Sequence, residues 1–234
     1  MKLLVCLYGL LFFFLPSIAQ NETELLKSVK AKLDKVANYK AKGKINIDVP
    51  FIKASPSAIT VYFKQPDKFK IEKEEGLSIF PKGGVSMNVS SMLSNTNYTA
   101  VPAGEALVKG VTTKVIKLLP LDEASDVVLT TLYIDAKDAL VRKASVTTKE
   151  SGSYEVEMDY SRYSNWGLPD KVVFSFNTKD YKLPKGLTFE YEKGATKKQE
   201  APKSTKGRIE VFYSEYSINK GVSNAVFADG KKGS

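Results

Sequence analysis

The residues of this sequence that could carry out acid–base chemistry are carboxylates, because the chain contains no histidine. Its absence excludes Ser-His-Asp and Cys-His nucleophile pairs, histidine metal sites and the commonest general base. What is left is a carboxylate pair of the glycosidase kind. The candidates lie on two predicted strands: Glu72, Glu74 and Glu75 on one, and Glu155, Glu157 and Asp159 on the other. Alternating members of each set share the face opposite their apolar neighbours, which is typical of a solvated sheet face. The sequence therefore predicts no catalytic residue and no enzyme.

Motifs for phosphate and metal binding are absent from the sequence. Lys82-Gly83-Gly84 lacks the spacing of either nucleotide fingerprint, and no Gly-rich loop follows a strand and opens a helix. The alternating Asp and Asn ligands of an EF-hand loop are missing as well. We therefore expect no cofactor, no metal and no nucleic-acid partner.

The remaining chemical signal is apolar. Phenylalanines recur on predicted strands, most of them on the faces that alternate inward: Phe51, Phe63, Phe69, Phe80, Phe174, Phe176 and Phe189. Each of them alone fits an ordinary core residue. Together they suggest that a sheet curled around one helix encloses more apolar wall than the helix can fill, which leaves room for an acyl chain.

One amphipathic helix precedes the strands. Asn21 with Glu24 three residues later resembles an N-cap, and the helix should end near Asn38. Its apolar residues recur at helical spacing: Leu25, Leu26, Val29, Leu33 and Val36.

Nearly everything after residue 38 alternates with a period of two, which predicts β-strands. The predicted strands lie around 45–49, 59–63 and 69–71, then at 111–119, 127–135, 139–149, 153–163, 170–178, 187–192 and 207–217. Residues 81–110 are expected to form a short helix or loop, and 193–208 a polar, basic hairpin loop. The fold class is mainly β (α+β), a single curved antiparallel sheet or incomplete β-barrel with the helix against its concave face.

The first residues have the pattern of an export signal. Lys2 precedes an apolar run from Leu3 to Leu15, and Ser17 and Ala19 suit signal peptidase cleavage between Ala19 and Gln20. Removing 19 of 234 residues leaves 215, which fits one domain, 20–234, and lowers the formal net charge from +9 to +8. The only cysteine, Cys6, leaves with the signal, so no disulfide is expected in the mature chain.

The order of these features resembles the periplasmic lipoprotein carrier superfamily, LolA-like proteins of Gram-negative bacteria. The likeness rests on the export signal, the helix and the segment Tyr62-Phe63-Lys64-Gln65-Pro66-Asp67-Lys68-Phe69-Lys70-Ile71. It continues through residues 166–174 and ends near Val226-Phe227. Classical carriers place an arginine tied to opening of the cavity where this chain has Gln65, and glutamine supplies neither the charge nor the fork of arginine.

The resemblance implies a soluble, monomeric periplasmic carrier or chaperone for outer-membrane lipoprotein sorting. Its partners would be an acylated lipoprotein or lipid and inner- and outer-membrane transfer proteins. For the basic loop at 193–208 three interpretations stay open: a solvated hairpin, peripheral contact with anionic headgroups, or docking on a transfer protein. The alternative is an envelope regulatory or sensor module of the same fold that binds lipid or a membrane protein. The acyl cavity is predicted to be lined by Leu25, Leu26, Val29, Leu33, Ile47, Val61, Phe63, Phe69, Ile71, Phe80, Phe174 and Phe176.

Overall fold

A long antiparallel sheet and one helix make up the part of the chain that the structure, a computed structural model, describes. The described residues are 18–49, 52–53, 55–73, 78–79, 93, 97–150, 152–177 and 206–227. None of the described helices combines the length and the apolar composition needed to cross a membrane.

The N-terminal helix, α1, runs from Ile18 to Asp34. The predicted N-cap was wrong, because the helix continues N-terminal to Asn21. The predicted end near Asn38 was also wrong, since the chain has already entered the first strand at that residue. The amphipathic character is confirmed: Leu26, Val29 and Leu33 are buried, and the residues between them face solvent or are half-buried.

In the described part of the chain, twelve strands form one sheet with the order β5-β4-β3-β1-β12-β11-β10-β9-β8-β7-β6, and β2 pairs with β1 beside this path. All described pairings are antiparallel. Within the described residues the end strands β5 and β6 do not pair with each other, so the barrel is incomplete, as predicted. The strands are β1 (Asn38–Val49), β2 (Ile52–Lys53), β3 (Ser57–Lys64), β4 (Lys68–Lys73), β5 (Ser78–Ile79), β6 (Tyr98–Val108), β7 (Val111–Pro120), β8 (Val127–Asp135), β9 (Leu140–Thr148), β10 (Ser153–Asp159), β11 (Lys171–Asn177) and β12 (Lys206–Ile218).

Strand β6 is the main difference from the sequence prediction, which placed a short helix or loop at 81–110. The chain forms a strand at 98–108, whose pairing with β7 shifts between Pro102 and Glu105. Gly104 sits there with φ +81°, and most side chains of β6 are exposed. An edge strand with a bulge has neither a regular alternation nor a buried face, so its period-two signal was lost.

Three other predicted segments have different outcomes. Strand β10 ends at Asp159 rather than at 163, and a 3-10 helix, η1 (Ser164–Trp166), follows it. The predicted strand at 187–192 and residues 193–205 of the basic loop lie outside the described residues. Residues 206–208 belong to β12 and not to a loop. A second 3-10 helix, η2 (Asn224–Phe227), closes the described chain.

A β-bulge in β12 bends the sheet where β1 and β12 pair. Lys42 is opposite Glu215 and Gly43 is opposite Tyr213, so Ser214 is the extra residue. The carbonyl oxygens of Tyr213 and Ser214 each accept a hydrogen bond of 2.7 Å from the Arg162 guanidinium. Arg162 thereby satisfies backbone groups near the bulge that would otherwise lack partners.

The sheet has an inner face, on which α1 packs, and an outer face. The inner face is apolar and shares one core with α1 and with Leu93. The outer face carries cross-strand ion pairs, including Lys143 with Glu155 at 2.6 Å and Lys171 with Glu210 at 2.8 Å. This division follows from the alternation of the strands.

Glu210 should make stability depend on pH in the acid range. Hydrogen bonds from Lys171 and then Arg208 lower the pKa of Glu210 from 4.5 to about 2. A lowered folded-state pKa stabilises the protein above pH 4.5, and that contribution is lost as pH falls through about 2. In urea denaturation we expect wild type to be more stable than Glu210→Gln at pH 6, with the difference shrinking at pH 2.5. A constant difference would contradict this assignment.

Candidate functional site

The candidate site is the inner face of the sheet, where the pairing of neighbouring strands brings apolar side chains together. Val61 of β3 lies between Ala41 of β1 and Ile71 of β4 in the pairing register. All three are at most 1% exposed, so this row is sealed from water. Antiparallel register places these side chains on one face because neighbouring strands alternate in step.

A second row lies beside it toward the end of the same strands. Phe63 is opposite Tyr39 on one side and Phe69 on the other. The ring centroids of Phe63 and Tyr39 are 5.3 Å apart, a tilted aromatic contact. Phe63 is 1% exposed, whereas Phe69 is half-buried and packs at the margin of the core.

The inner face continues across β12, β11 and β10. Phe174 is opposite Ile209 of β12 and Val156 of β10. Its ring centroid lies 5.0 Å from that of Tyr154 and 5.4 Å from that of Phe176. The buried surface is therefore continuous from β4 through β10, and the core extends it into β9, β8 and β7.

Helix α1 covers part of this surface. It packs near the edge strand β6 and near η1, and its apolar residues belong to the same core as the sheet. A Cβ at Gly167 would lie 3.0 Å from Leu33, which shows how closely the end of α1 approaches the loop after η1. Leu25 is half-buried at the margin of the helix–sheet contact.

The C-terminal end of α1 is tied to the sheet by polar contacts. The Asn219 side-chain oxygen accepts hydrogen bonds from the amides of Ala37 at 2.8 Å and Asn38 at 3.2 Å, and its amide donates to the Lys35 carbonyl at 2.8 Å. Asn219 has φ 56°, a left-handed conformation that asparagine tolerates better than most residues. This residue therefore fixes the connection between α1 and β1.

Gln65 contributes a second tie at the same end. Its backbone amide donates to the Ala37 carbonyl at 2.9 Å, and its side-chain amide donates to the Asp34 carbonyl at 3.4 Å. The Gln65-Pro66 peptide bond is cis. Gln65 thus reaches a terminal carbonyl of α1, a position where a polar donor satisfies a group that has no partner inside the helix.

We expect Asn219→Ala to loosen the start of β1 and the end of α1. The variant loses three side-chain hydrogen bonds and places alanine in a left-handed conformation, for a total cost of about 2 kcal/mol. Hydrogen exchange should accelerate at the amides of Ala37 and Asn38. Asn219→Gly keeps the backbone conformation accessible and isolates the side chain, so it should show the same faster exchange with a smaller loss of stability. Unchanged hydrogen exchange at these amides in both variants would show that the Asn219 side chain does not hold this connection.

Tyrosines that the sequence prediction did not include line the same face. Tyr216 contacts Tyr39, Tyr163 and Tyr213, with ring centroids 4.9 to 5.2 Å apart. The Tyr216 hydroxyl donates to the Pro169 carbonyl at 2.8 Å. Burial raises the pKa of Tyr39, Tyr213 and Tyr216, so this wall stays uncharged. The bulge at Ser214 shifts the alternation of β12, which is why Tyr216 was not recognised from the sequence.

The predicted cavity residues fall into three groups. Those that are described and buried on the inner face or on α1 are Leu26, Val29, Leu33, Ile47, Val61, Phe63, Ile71, Phe174 and Phe176. Leu25 and Phe69 are partly buried against the same core. Phe80 lies outside the residues whose side chains are described. Their role as a binding site stays a prediction.

The described carboxylates considered for catalysis lie on the outer face: Glu72, Glu155, Glu157 and Asp159. Lys70 pairs with Glu72 at 2.7 Å, and Lys109 pairs with Glu157 at 3.1 Å and Asp159 at 2.7 Å. Glu74 and Glu75 lie outside the described residues. Among the described residues no group of His, Cys, Asp and Glu side chains is arranged to hold a metal ion.

No family model matches the sequence, and no curated protein matches it significantly. Solved structures do match. A domain from Vibrio parahaemolyticus, provisionally named for outer membrane lipoprotein sorting, superposes with a TM-score of 0.58 at 10% identity, covering 88% of this chain and 97% of that one. A LolA superfamily protein from Nitrosomonas europaea superposes with a TM-score of 0.54 at 9% identity, over 87% and 97% of the two chains.

The chain has the LolA-like fold. A DUF1329 family protein from Desulfovibrio piger shares this architecture, with a TM-score of 0.52 at 11% identity over 89% of this chain and 96% of that one. The resemblance inferred from residues 62–71 is therefore confirmed at the level of the fold. In this LolA-like fold, α1 and the inner face are the elements that could enclose a ligand, and Gln65 lies where they are tied together.

Proposed function

We propose that the protein is a soluble periplasmic carrier or chaperone that binds the acyl chains of lipoproteins or lipids between α1 and the inner face, in outer-membrane lipoprotein sorting. The observation that supports this most is the continuous apolar inner face, which spans β4 to β7 through the middle of the sheet. The single long helix among the described residues packs near one edge of that face. The predicted export signal supports the proposed location.

Burial of an acyl chain supplies enough free energy for this role. Each methylene transferred from water contributes about 0.8 kcal/mol, so a chain of about fourteen carbons gains on the order of 10 kcal/mol before ordering costs. The wall needs no charge, because hydrophobic burial is non-directional. The uncharged tyrosines at one end of the inner face are compatible with such a ligand.

Release of the chain needs a partner, because a hydrophobic site does not discharge its ligand into water. A membrane transfer protein that offers an equal or better apolar site would supply it. The cycle is reversible burial with no covalent step, and the mature chain works as a monomer.

Transfer between membranes tests this proposal and separates it from a sensor of the same fold. Donor vesicles would carry a fluorescent triacylated lipopeptide, and acceptor vesicles would carry a quencher. We expect wild-type protein to accelerate quenching at least tenfold over the spontaneous rate, and Leu25→Glu to lower that acceleration, because Leu25 lies half-buried at the margin of the helix–sheet contact.

The matched control is Ser28→Glu, which adds the same charge at an exposed position of α1 and should transfer normally. A protein that binds the lipopeptide but does not transfer it would be a sensor or regulatory module. A protein that neither binds nor transfers it would overturn the acyl-binding proposal.

A further inference from the structure

We propose that the outer face of β1, β11 and β12 docks on the surface of an anionic phospholipid bilayer. The surface in question, here called the basic patch, consists of Lys40, Lys42, Lys44, Lys171 and Phe212. It lies on the face of the sheet opposite α1, so it is separate from the proposed acyl site.

Alternation along β1 creates one side of the basic patch. Lys40, Lys42 and Lys44 are exposed, and the residues between them are buried. Side chains two residues apart on a strand are spaced by about 7 Å, so the three ammonium groups form a row roughly 14 Å long. Such a row presents several cations to a flat, negatively charged surface at the same time.

The neighbouring strands add an aromatic ring to this row. Phe212 of β12 is opposite both Lys44 of β1 and Lys171 of β11. The Lys171 ammonium lies 4.6 Å from the centroid of the Phe212 ring, and 43% of Phe212 remains exposed. The bulge at Ser214 and the close approach of Gly43 to the Phe212 carbonyl fix this part of β12 against β1.

The lysine side chains of β3 and β4 have hydrogen-bond partners that two lysines of the basic patch lack. Lys64, Lys68 and Lys70 donate to the C-terminal segment, at the Val222 and Val226 carbonyls and the Asn224 side-chain oxygen. In contrast, the side-chain ammonium groups of Lys42 and Lys44 form no hydrogen bond or ion pair within the described part of the chain. The cations on one half of this outer face therefore have partners in the protein, whereas the ammonium groups of Lys42 and Lys44 have none among the described residues.

Three carboxylates lie beside residues of the patch. Glu210 is paired with Lys171 and with Arg208, at 2.8 and 2.9 Å. Asp159 is opposite Lys171 in the register and is paired with Lys109 at 2.7 Å. Glu215 is opposite Lys42. Glu210 and Asp159 are thus compensated by cations of the protein, which leaves Glu215 against the three lysines of β1, so this row stays cationic.

An exposed aromatic ring beside a row of exposed lysines favours a bilayer over a soluble polyanion. Each lysine near an anionic leaflet adds electrostatic attraction, and an aromatic side chain inserts at the headgroup level. A soluble polyanion would use the lysines but would gain little from Phe212. Docking through the outer face also leaves α1 on the side away from the bilayer, so membrane attachment and acyl binding can be measured separately.

Vesicle co-sedimentation of the full mature chain tests the proposal. Two kinds of vesicle are used, one of mixed phosphatidylglycerol and phosphatidylcholine and one of phosphatidylcholine alone. Each is tested at 50 and 300 mM salt. We expect binding to the mixed vesicles at low salt, weaker binding at high salt, and none to phosphatidylcholine alone. Lys42→Glu with Lys44→Glu should weaken binding at least thirtyfold, from the loss of two lysines at the surface.

The matched control is Lys117→Glu with Lys137→Glu, which changes the net charge equally at exposed positions outside the patch and should bind normally. Phe212→Ser should weaken binding about tenfold, while Leu121→Ser, at another exposed apolar residue, should not. Equal losses of vesicle binding in the patch variants and the control variants would show that binding depends only on net charge, and would overturn the proposal. Binding to heparin without binding to the vesicles would overturn it in favour of a polyanion, whatever the outcome of lipopeptide transfer.

Discussion

Phe63→Ala should lower the free energy of unfolding by about 3 to 5 kcal/mol, the largest single effect that we expect from one inner-face side chain. Phe63 is 1% exposed and packs against Tyr39, so its removal leaves an apolar void that the rigid strands cannot fill. In thermal denaturation this corresponds to a fall in Tm of about 10 °C.

An added acyl ligand should restore part of the stability of Phe63→Ala. An apolar void accepts an apolar ligand, and a ligand that binds the folded state alone raises Tm in proportion to the logarithm of its concentration. The control is Phe212→Ala, which removes the same ring from the outer face and should cost about 1 kcal/mol or less. Equal losses in the two variants would show that the inner face is not the packed core of the protein.

Gly43→Ala should be nearly as damaging, although it adds only one methyl group. The new Cβ would lie 2.3 Å from the Phe212 carbonyl oxygen, which belongs to the backbone of the paired strand. The strands must separate to accommodate it, and we expect a loss of about 3 kcal/mol in urea denaturation. The bulge at Ser214 depends on the same close approach, so its geometry should change as well.

A second glycine offers a matched comparison. At Gly207 an added Cβ would lie 2.4 Å from the far end of the Phe176 ring, which is a side chain. Phe176→Leu should therefore rescue Gly207→Ala. Trimming the side chain of Phe212 should not rescue Gly43→Ala, because the obstacle there is backbone. Rescue of both glycine variants by side-chain trimming would contradict the account of β1 and β12.

The strands that pair on both sides were predictable because burial of one face imposes a period of two. Val61 and Phe63 on β3, and Phe174 and Phe176 on β11, alternate with polar residues and were placed correctly on the buried face. Helix α1 was recognised for the corresponding reason, a spacing of three and four between its buried residues. The fold class follows from these two patterns.

The features that were missed depend on contacts between distant residues. Among the described strands, β6 pairs with β7 alone, and it carries a bulge at Gly104, so its own sequence shows little alternation. Helix α1 ends at Asp34, and the backbone that follows donates to Asn219, which lies 182 positions after Ala37. Tyr216 lies after a bulge that changes which residues face inward.

The sequence shows glutamine at position 65 where classical carriers have arginine, but it could not show which group this side chain contacts. The Gln65 side chain reaches the end of α1, where it donates to the Asp34 carbonyl. It does so as a neutral donor, so the tie does not depend on charge. Any opening of α1 in this protein would then be less sensitive to salt than one held by an ion pair.

The most direct test of acyl-chain binding is native mass spectrometry, with organic extraction, of the mature protein purified from its own periplasm without detergent. We predict a co-purifying acylated species that is recovered in the organic extract. A bare protein mass that also fails to shift after addition of lipid or lipopeptide would contradict the proposed binding site between α1 and the inner face.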